Sequence, residues 1–116
     1  MSKYYICSPL SAPDKKGIEK NQAYARGYVE RVEESCRVKA VAPHVHLPEM
    51  LDDNVPEERE LALEFGLKLL KLCDKLIICG DIISNGMRNE IAFARKNNIP
   101  VMNLKELLQK EGHYEV

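Results

Sequence analysis

The sequence lacks the long uniform runs that mark several classes of protein. Its 17 basic and 18 acidic residues give a formal charge of -1, and no block of lysine or arginine exceeds two residues. A surface that follows the phosphates of a nucleic acid polymer is therefore not expected. No apolar stretch approaches the ~20 residues that span a bilayer, and residues 1–5 lack the apolar core of a signal peptide. We predict a cytoplasmic protein without a nucleic acid or membrane partner.

Common cofactor motifs and metal-ligand spacings are also missing. Neither GxxxxGK[ST] nor GxGxxG occurs, which disfavours ATP or dinucleotide binding by those routes. The cysteines have no CxxC spacing and lie in apolar surroundings, which is typical of core residues in a reducing compartment. They are Cys7, Cys36, Cys73 and Cys79. His44 and His46 alternate as they would on a strand, but no third ligand accompanies them. We predict no metal and no cofactor.

Strand patterns alternate with helix patterns along the whole chain, whose 116 residues and 45% hydrophobic content suffice for one domain, residues 1–116. Strands are predicted over 3–7, 38–42, 75–80 and 100–104, and helices over 18–36, 56–74, 85–97 and 105–110. The predicted inward face of the first helix carries Gln22, Ala25, Val29, Val32 and Cys36. The predicted inward face of the second helix carries Ala62, Phe65, Gly66, Leu69, Leu70 and Cys73. This alternation predicts a three-layer, doubly wound parallel sheet (α/β, Rossmann- or flavodoxin-like) with four to five strands in order 2-1-3-4.

Glu90 is the most informative residue, because it stands at the edge of an apolar helix face. Met87, Ile91 and Ala94 form one stripe, and Glu90 falls about 60° from its middle. The helix follows a buried strand, and ligands of open α/β sheets bind beyond the carboxyl ends of the strands. A role in capping or in the helix dipole is the plainer alternative. We predict that Glu90 belongs to a ligand site.

In the predicted order, the loop after Cys7 and the loop after Gly80 meet where the strand order reverses. These loops would supply donors to a small anion or sugar, and a carboxylate there suits attack on an anomeric carbon. The predicted binding residues are Ser8, His44, Ser84, Asn85, Gly86 and Met87. Asp81 and His44 are candidates to protonate the leaving group. The plainer alternatives are a turn residue for Asp81 and a hydrogen-bonded loop histidine for His44. Cys7 as a nucleophile is a less favoured alternative.

Several segments spread over nearly the whole chain form a recognisable series. In order, they are residues 5–10, Asn21 with Ala25-Arg26, Pro43-His44, residues 51–53, Cys73-Asp74, residues 84–87 and residues 90–92. This series resembles the nucleoside 2-deoxyribosyltransferase-like superfamily, and in particular its small uncharacterised bacterial and phage members. The stretch from Ser84 to Ala94 is the most specific part of the resemblance.

The resemblance implies the doubly wound fold, and a helix glutamate that attacks the sugar C1′ in a two-step, retaining displacement. By resemblance Glu90 is the nucleophile, Ser84 matches a serine that binds a 5′-phosphate, and Ser8-Pro9 stand where the family has a Gly-Pro turn beside the sugar. Tyr5 aligns loosely with a site tyrosine. The superfamily also implies a nucleoside or nucleotide ligand and a homo-oligomer whose subunits complete the sites.

The sequence departs from the superfamily at two positions. Ser8 replaces a glycine, and Gly66 replaces an aspartate on the helix before the third strand; the nearest acid, Glu64, would point elsewhere. We therefore hold three hypotheses. The first is an N-glycosidic-bond enzyme, either a hydrolase or a transferase. The second is a non-catalytic nucleotide-binding module. The third is an oligomeric scaffold in which an exposed Glu90 forms only ion pairs.

Overall fold

The fold was obtained as a computed structural model, and the structure describes residues 2–10, 12–43 and 55–112. The elements in chain order are β1 (Lys3–Cys7), α1 (Lys15–Cys36), β2 (Lys39–Val41), α2 (Pro56–Lys71), β3 (Lys75–Ile78), α3 (Asn85–Lys96), β4 (Val101–Asn103) and α4 (Leu104–Glu111). The predicted elements are all present, with bounds that differ by a few residues. No described helix combines the length and apolarity needed to cross a bilayer.

The described strands form one parallel sheet in the order β2-β1-β3-β4, which confirms the predicted fold class and strand order. Tyr5 of β1 lies opposite Val41 of β2 and Leu76 of β3. Strand β4 pairs with β3 through Ile77 and Met102. Since β1 and β3 are neighbours, the loops that follow them lie side by side, as the sequence predicted.

Side-chain alternation along the strands divides the core into two halves. Tyr4 and Ile6 point to the side of the sheet covered by α1 and α4, where they pack with Val32 and Leu107. The opposite side is covered by α2 and α3, and its buried cluster is Tyr5, Cys7, Leu70, Cys73, Leu76, Met87, Ile91, Ala94 and Ile99. The two sides are called the α1/α4 face and the α2/α3 face below. All four cysteines are buried and free, as predicted.

Local sequence explains where the helices begin. Asp14 accepts a hydrogen bond from the Gly17 N–H at 2.7 Å and caps α1, and Asn103 accepts one from Glu106 at 2.8 Å and caps α4. Pro56 occupies the first turn of α2, where its missing N–H costs nothing. After β3, Gly80 has a φ of +92°, a conformation that strongly favours glycine.

One predicted core position is wrong. Phe65 of α2 is 44% exposed, whereas Gly66, Leu70 and Cys73 are buried as predicted. At 100° per residue, Phe65 lies about 110° from the middle of the stripe that Gly66, Leu70 and Cys73 form, so it stands just beyond the edge of the buried face. Exposed Leu61, Leu63 and Leu72 lie in and just after the same helix. The predicted homo-oligomer stays a prediction.

Candidate active site around Glu90

Helix α3 holds Glu90 against the α2/α3 face of the sheet. Ser84 precedes the helix, and its hydroxyl accepts a hydrogen bond from the Met87 N–H at 3.3 Å. This cap fixes where the helix begins, and Met87, Ile91 and Ala94 are the residues of the helix that are buried. Glu90 is half-buried beside that stripe. The position predicted for Glu90 is thereby confirmed, at the edge of the buried face.

The two oxygens of the Glu90 carboxyl group differ, because one is hydrogen-bonded and the other has no hydrogen-bond partner among the described residues. The hydroxyl of Tyr5 donates a hydrogen bond to this carboxyl group. Its Oε2 atom is buried and has no hydrogen-bond partner within the described ranges. Glu90 also forms no ion pair with Arg88, Arg95 or any other described residue. The scaffold hypothesis required an exposed, ion-paired Glu90, so the structure does not support it.

Burial dominates the electrostatics of this carboxyl group. It raises the pKa of Glu90 from 4.5 to about 7, and the hydrogen bond from Tyr5 opposes that rise. The pKa of the Tyr5 phenol is raised first by burial and then by the charge of Glu90, so Tyr5 stays a donor. A glutamate that titrates near neutral pH, with an oxygen left unpaired, is typical of functional sites.

Cys7 lies on the same face but is a poor candidate nucleophile. Burial raises the pKa of its thiol, and the negative charge of Glu90 raises it further. A reactive cysteine needs the opposite shift, because the thiolate is the nucleophile. The Cys7 Sγ atom instead lies 3.9 Å from the Met87 carbonyl oxygen, inside the core.

Gly66 of α2 faces the Tyr5–Glu90 pair. A Cβ atom placed on Gly66 would lie 3.5 Å from the Tyr5 hydroxyl oxygen, an ordinary van der Waals distance. The helix position at which the sequence departs from the superfamily is therefore adjacent to the candidate site. The contact between Tyr5 and Glu90 was missed at the sequence level, since 85 positions separate the two residues and only the sheet brings them together.

The loops after β1 and β3 meet beside this pair. The Cys79 N–H donates a hydrogen bond to the Cys7 carbonyl oxygen at 2.9 Å. A Cβ atom on Gly80 would lie 3.8 Å from the Cδ atom of Pro9. Ser8 is buried and Pro9 is half-buried, so these two predicted residues lie in the junction between the loops.

The remaining predicted binding residues have different surroundings. Asn85 and Gly86 are exposed in the first turn of α3, while Met87 is only 1% exposed and packs in the core. Its sulfur accepts a contact from the Ser84 N–H at 3.5 Å. His44 lies outside the described residues. A binding role for these residues stays a prediction.

Asp81 lies apart from Glu90. It is exposed and lines a solvent-open cleft of about 600 Å³ on the α1/α4 face. Arg31 of α1 and Lys105 of α4 form other parts of that wall. Glu90 does not line this cleft. The structure therefore does not bring the two predicted catalytic carboxylates together, and the role of Asp81 as a proton donor stays a prediction.

A parallel sheet in the order 2-1-3-4 with flanking helices defines a doubly wound α/β protein. The solved structure of a 2-deoxyribosyltransferase from the psychrotolerant bacterium Bacillus psychrosaccharolyticus is similar, with a TM-score of 0.63 and 17% identity. The match covers 88% of this chain and 71% of that chain. That enzyme is described as a biocatalyst for the synthesis of antiviral and antitumoral nucleosides.

Residues 2–104 match a family described as a domain of unknown function, DUF7768, and the chain belongs to this family. No curated protein sequence matches the chain.

Proposed function

We propose that this protein cleaves or exchanges the N-glycosidic bond of a nucleoside or a nucleoside 5′-monophosphate, with Glu90 as the nucleophile. The observation that carries the proposal is the buried Glu90 carboxyl group, which is held by Tyr5 through one hydrogen bond and leaves its Oε2 atom unpartnered. The similar fold of a 2-deoxyribosyltransferase supports the choice of substrate class.

The proposed reaction has two steps. In the first, an ionised oxygen of Glu90 attacks the sugar C1′, a C1′–O bond forms, and the C1′–N bond breaks with its electron pair leaving on the base. A proton donor neutralises the departing base, and Asp81 and His44 are the two predicted donors. In the second step, water or another nucleobase attacks C1′ and gives its proton to the group that protonated the first base. The C1′–O bond to Glu90 breaks, and the carboxylate is released. Attack by water makes the reaction a hydrolysis, and attack by a nucleobase makes it a transfer of the sugar to that nucleobase.

The surroundings of Glu90 suit this role. A carboxylate in a dry site interacts more strongly with a developing positive charge than one in water, because less solvent screens it. Tyr5 orients the carboxyl group and lowers its pKa relative to burial alone, which increases the ionised fraction near pH 7. The Oε2 atom, which has no hydrogen-bond partner among the described residues, is the oxygen that we assign to the attack on C1′.

The test is base release from a panel of nucleosides, deoxynucleosides and their 5′-monophosphates, measured by chromatography. We expect Glu90→Gln to reduce release by roughly 10³-fold or more, since the nucleophile is lost while the shape is kept. Glu30→Gln is the matched control: this exposed glutamate of α1 loses the same charge, and release should be unchanged. Equal turnover by the Glu90→Gln variant and the unaltered chain would contradict the proposal.

A second candidate is a nucleotide-binding module without turnover, and Gly66 is the observation that favours it. No carboxylate stands at this position beside Tyr5, whereas the resembling superfamily has an aspartate there. Stabilisation of the native state by nucleotides, seen as an increased Tm without any base release, would support this candidate over the enzyme.

A further inference from the structure

The cleft on the α1/α4 face carries two cationic side chains, Arg31 and Lys105, that the proposed chemistry does not use. Its wall is assembled from α1, α4 and the ends of two strands, with Arg31, Asp81, Asn103, Lys105 and Gln109 as polar lining. We propose that this cleft is a binding site for a small organic phosphate, distinct from the site around Glu90.

Charge is the first argument. Arg31 and Lys105 stand on two different helices, and Asp81 is the only carboxylate among the described lining residues, which together carry a net charge of +1. Neither cation forms an ion pair with a described residue, whereas Lys68 and Lys75 are paired with Glu64 and Glu111. A concave surface with unpaired cations concentrates anions. Arginine and lysine are also the side chains that most often bind phosphate.

Size and polarity are the second argument. A volume of about 600 Å³ lies within the range of roughly 300–1,000 Å³ that is typical of small-molecule sites. Half-buried Ile78 and buried Leu108 give the cleft an apolar part, which free inorganic phosphate would not use. The Asp81 carboxylate and the Gln109 amide are hydrogen-bonding partners for hydroxyl groups. A sugar phosphate combines the anion, the hydroxyl groups and the carbon surface that this lining matches.

The α4 terminus adds a smaller contribution. The Asn103 side chain accepts its hydrogen bond from the Glu106 N–H, so it does not occupy the N–H group of Lys105 in the first turn. That group has no acceptor within the helix, and the helix dipole favours an anion near it. This contribution reinforces the effect of the two cations.

The cleft is separate from Glu90 because neither Glu90 nor its partner Tyr5 is among the described lining residues. Helices α1 and α4 supply most of the wall, and Ile78 of β3, which also packs with the cluster of the α2/α3 face, completes it. Glu90 is hydrogen-bonded to Tyr5. Arg31 and Lys105 can therefore be substituted without removing a described contact of Glu90.

The experiment is calorimetric titration of the full chain with ribose 5-phosphate, ribose and inorganic phosphate. We expect ribose 5-phosphate to bind more tightly than either of the other two. Arg31→Gln and Lys105→Gln should each weaken it about tenfold, as expected for loss of a charge-assisted hydrogen bond. Lys110→Gln is the matched control, because Lys110 is an exposed lysine of α4 outside the cleft. The Lys110→Gln variant should bind ribose 5-phosphate with unchanged affinity.

Glu90→Gln separates this inference from the proposed function. We expect that variant to bind ribose 5-phosphate as the unaltered chain does, even if no nucleoside is ever turned over. The inference is overturned if ribose 5-phosphate does not bind, if inorganic phosphate binds equally well, or if Arg31→Gln and Lys105→Gln bind as Lys110→Gln does. Loss of binding in Glu90→Gln alone would also overturn it, since the ligand would then occupy the other face.

Discussion

The charged side chains on the two faces of the sheet differ in their exposure to water. On the α2/α3 face, the carboxyl group of half-buried Glu90 is desolvated, and this burial moves its pKa to about 7. On the α1/α4 face, Arg31, Asp81 and Lys105 are exposed around an open cleft. Desolvation is the cause of the difference, because it disfavours a charged form only where water is excluded. Proton chemistry therefore suits the first face, and anion binding suits the second.

The largest effect expected from this contrast is on the pH dependence of base release. A nucleophilic Glu90 must be ionised, so kcat/KM should fall about tenfold for each pH unit below about 7. Arg31→Gln, on the other face, should leave this profile unchanged. A rate that is flat between pH 5 and pH 8 would show that Glu90 does not act as an ionised nucleophile.

Tyr5→Phe tests the role of the Tyr5 hydrogen bond in the same pH measurement. The hydrogen bond from Tyr5 lowers the pKa of Glu90, so its removal should move the acidic limb of the profile to higher pH. A rate loss of equal size at every pH would indicate instead that Tyr5 acts on position alone.

The next effect concerns stability. An acid whose pKa is raised in the folded state contributes its full stability below the unfolded pKa, and that contribution is lost as pH rises through the folded pKa. For Glu90 the window is about pH 4.5 to 7, and the difference corresponds to about 3 kcal/mol. As the pH rises from 4.5 to 7, the free energy of unfolding of the unaltered chain should therefore fall by up to this amount. The free energy of unfolding of Glu90→Gln should show no such fall.

Urea denaturation at pH 4.5 and pH 8 measures this difference, with Glu30→Gln as the control on the exposed surface of α1. Parallel pH curves for the unaltered chain and Glu90→Gln would contradict the burial argument.

The smallest effect compares two helical glycines. Gly27→Ala in α1 adds a methyl group with nothing within 4 Å, and Gly66→Ala adds one at 3.5 Å from the Tyr5 hydroxyl. Each should raise the free energy of unfolding by about 0.5–1 kcal/mol, because alanine favours the helix. Only Gly66→Ala should also change the pH profile of base release. Strong destabilisation by Gly66→Ala alone would show that α2 packs too tightly to accept a side chain there.

Most of the fold could be predicted because its determinants are local. Apolar residues at helical spacing located α1 and α3, Pro56 marked the start of α2, and short β-prone segments located the strands. Phe65 was misplaced because a helix pattern does not distinguish the middle of a buried face from its edge. Periodicity fixes relative angles within a helix, but the rotation of the helix against the sheet depends on packing.

The candidate site was only partly predictable for the same reason. Sequence patterns located Glu90 on its helix and Ser84 before that helix, since caps and stripes depend on residues three or four positions apart. Pairing between β1 and β3, and the position of α2 over them, brought Tyr5 and Gly66 to Glu90 and left Asp81 across the sheet. Short-range patterns in the sequence were sufficient to predict the strand order and to place Glu90 at the edge of a buried helix face. The hydrogen-bond partner of that acid and its pKa near 7 arise only in the folded chain, because desolvation is a property of everything packed around a group.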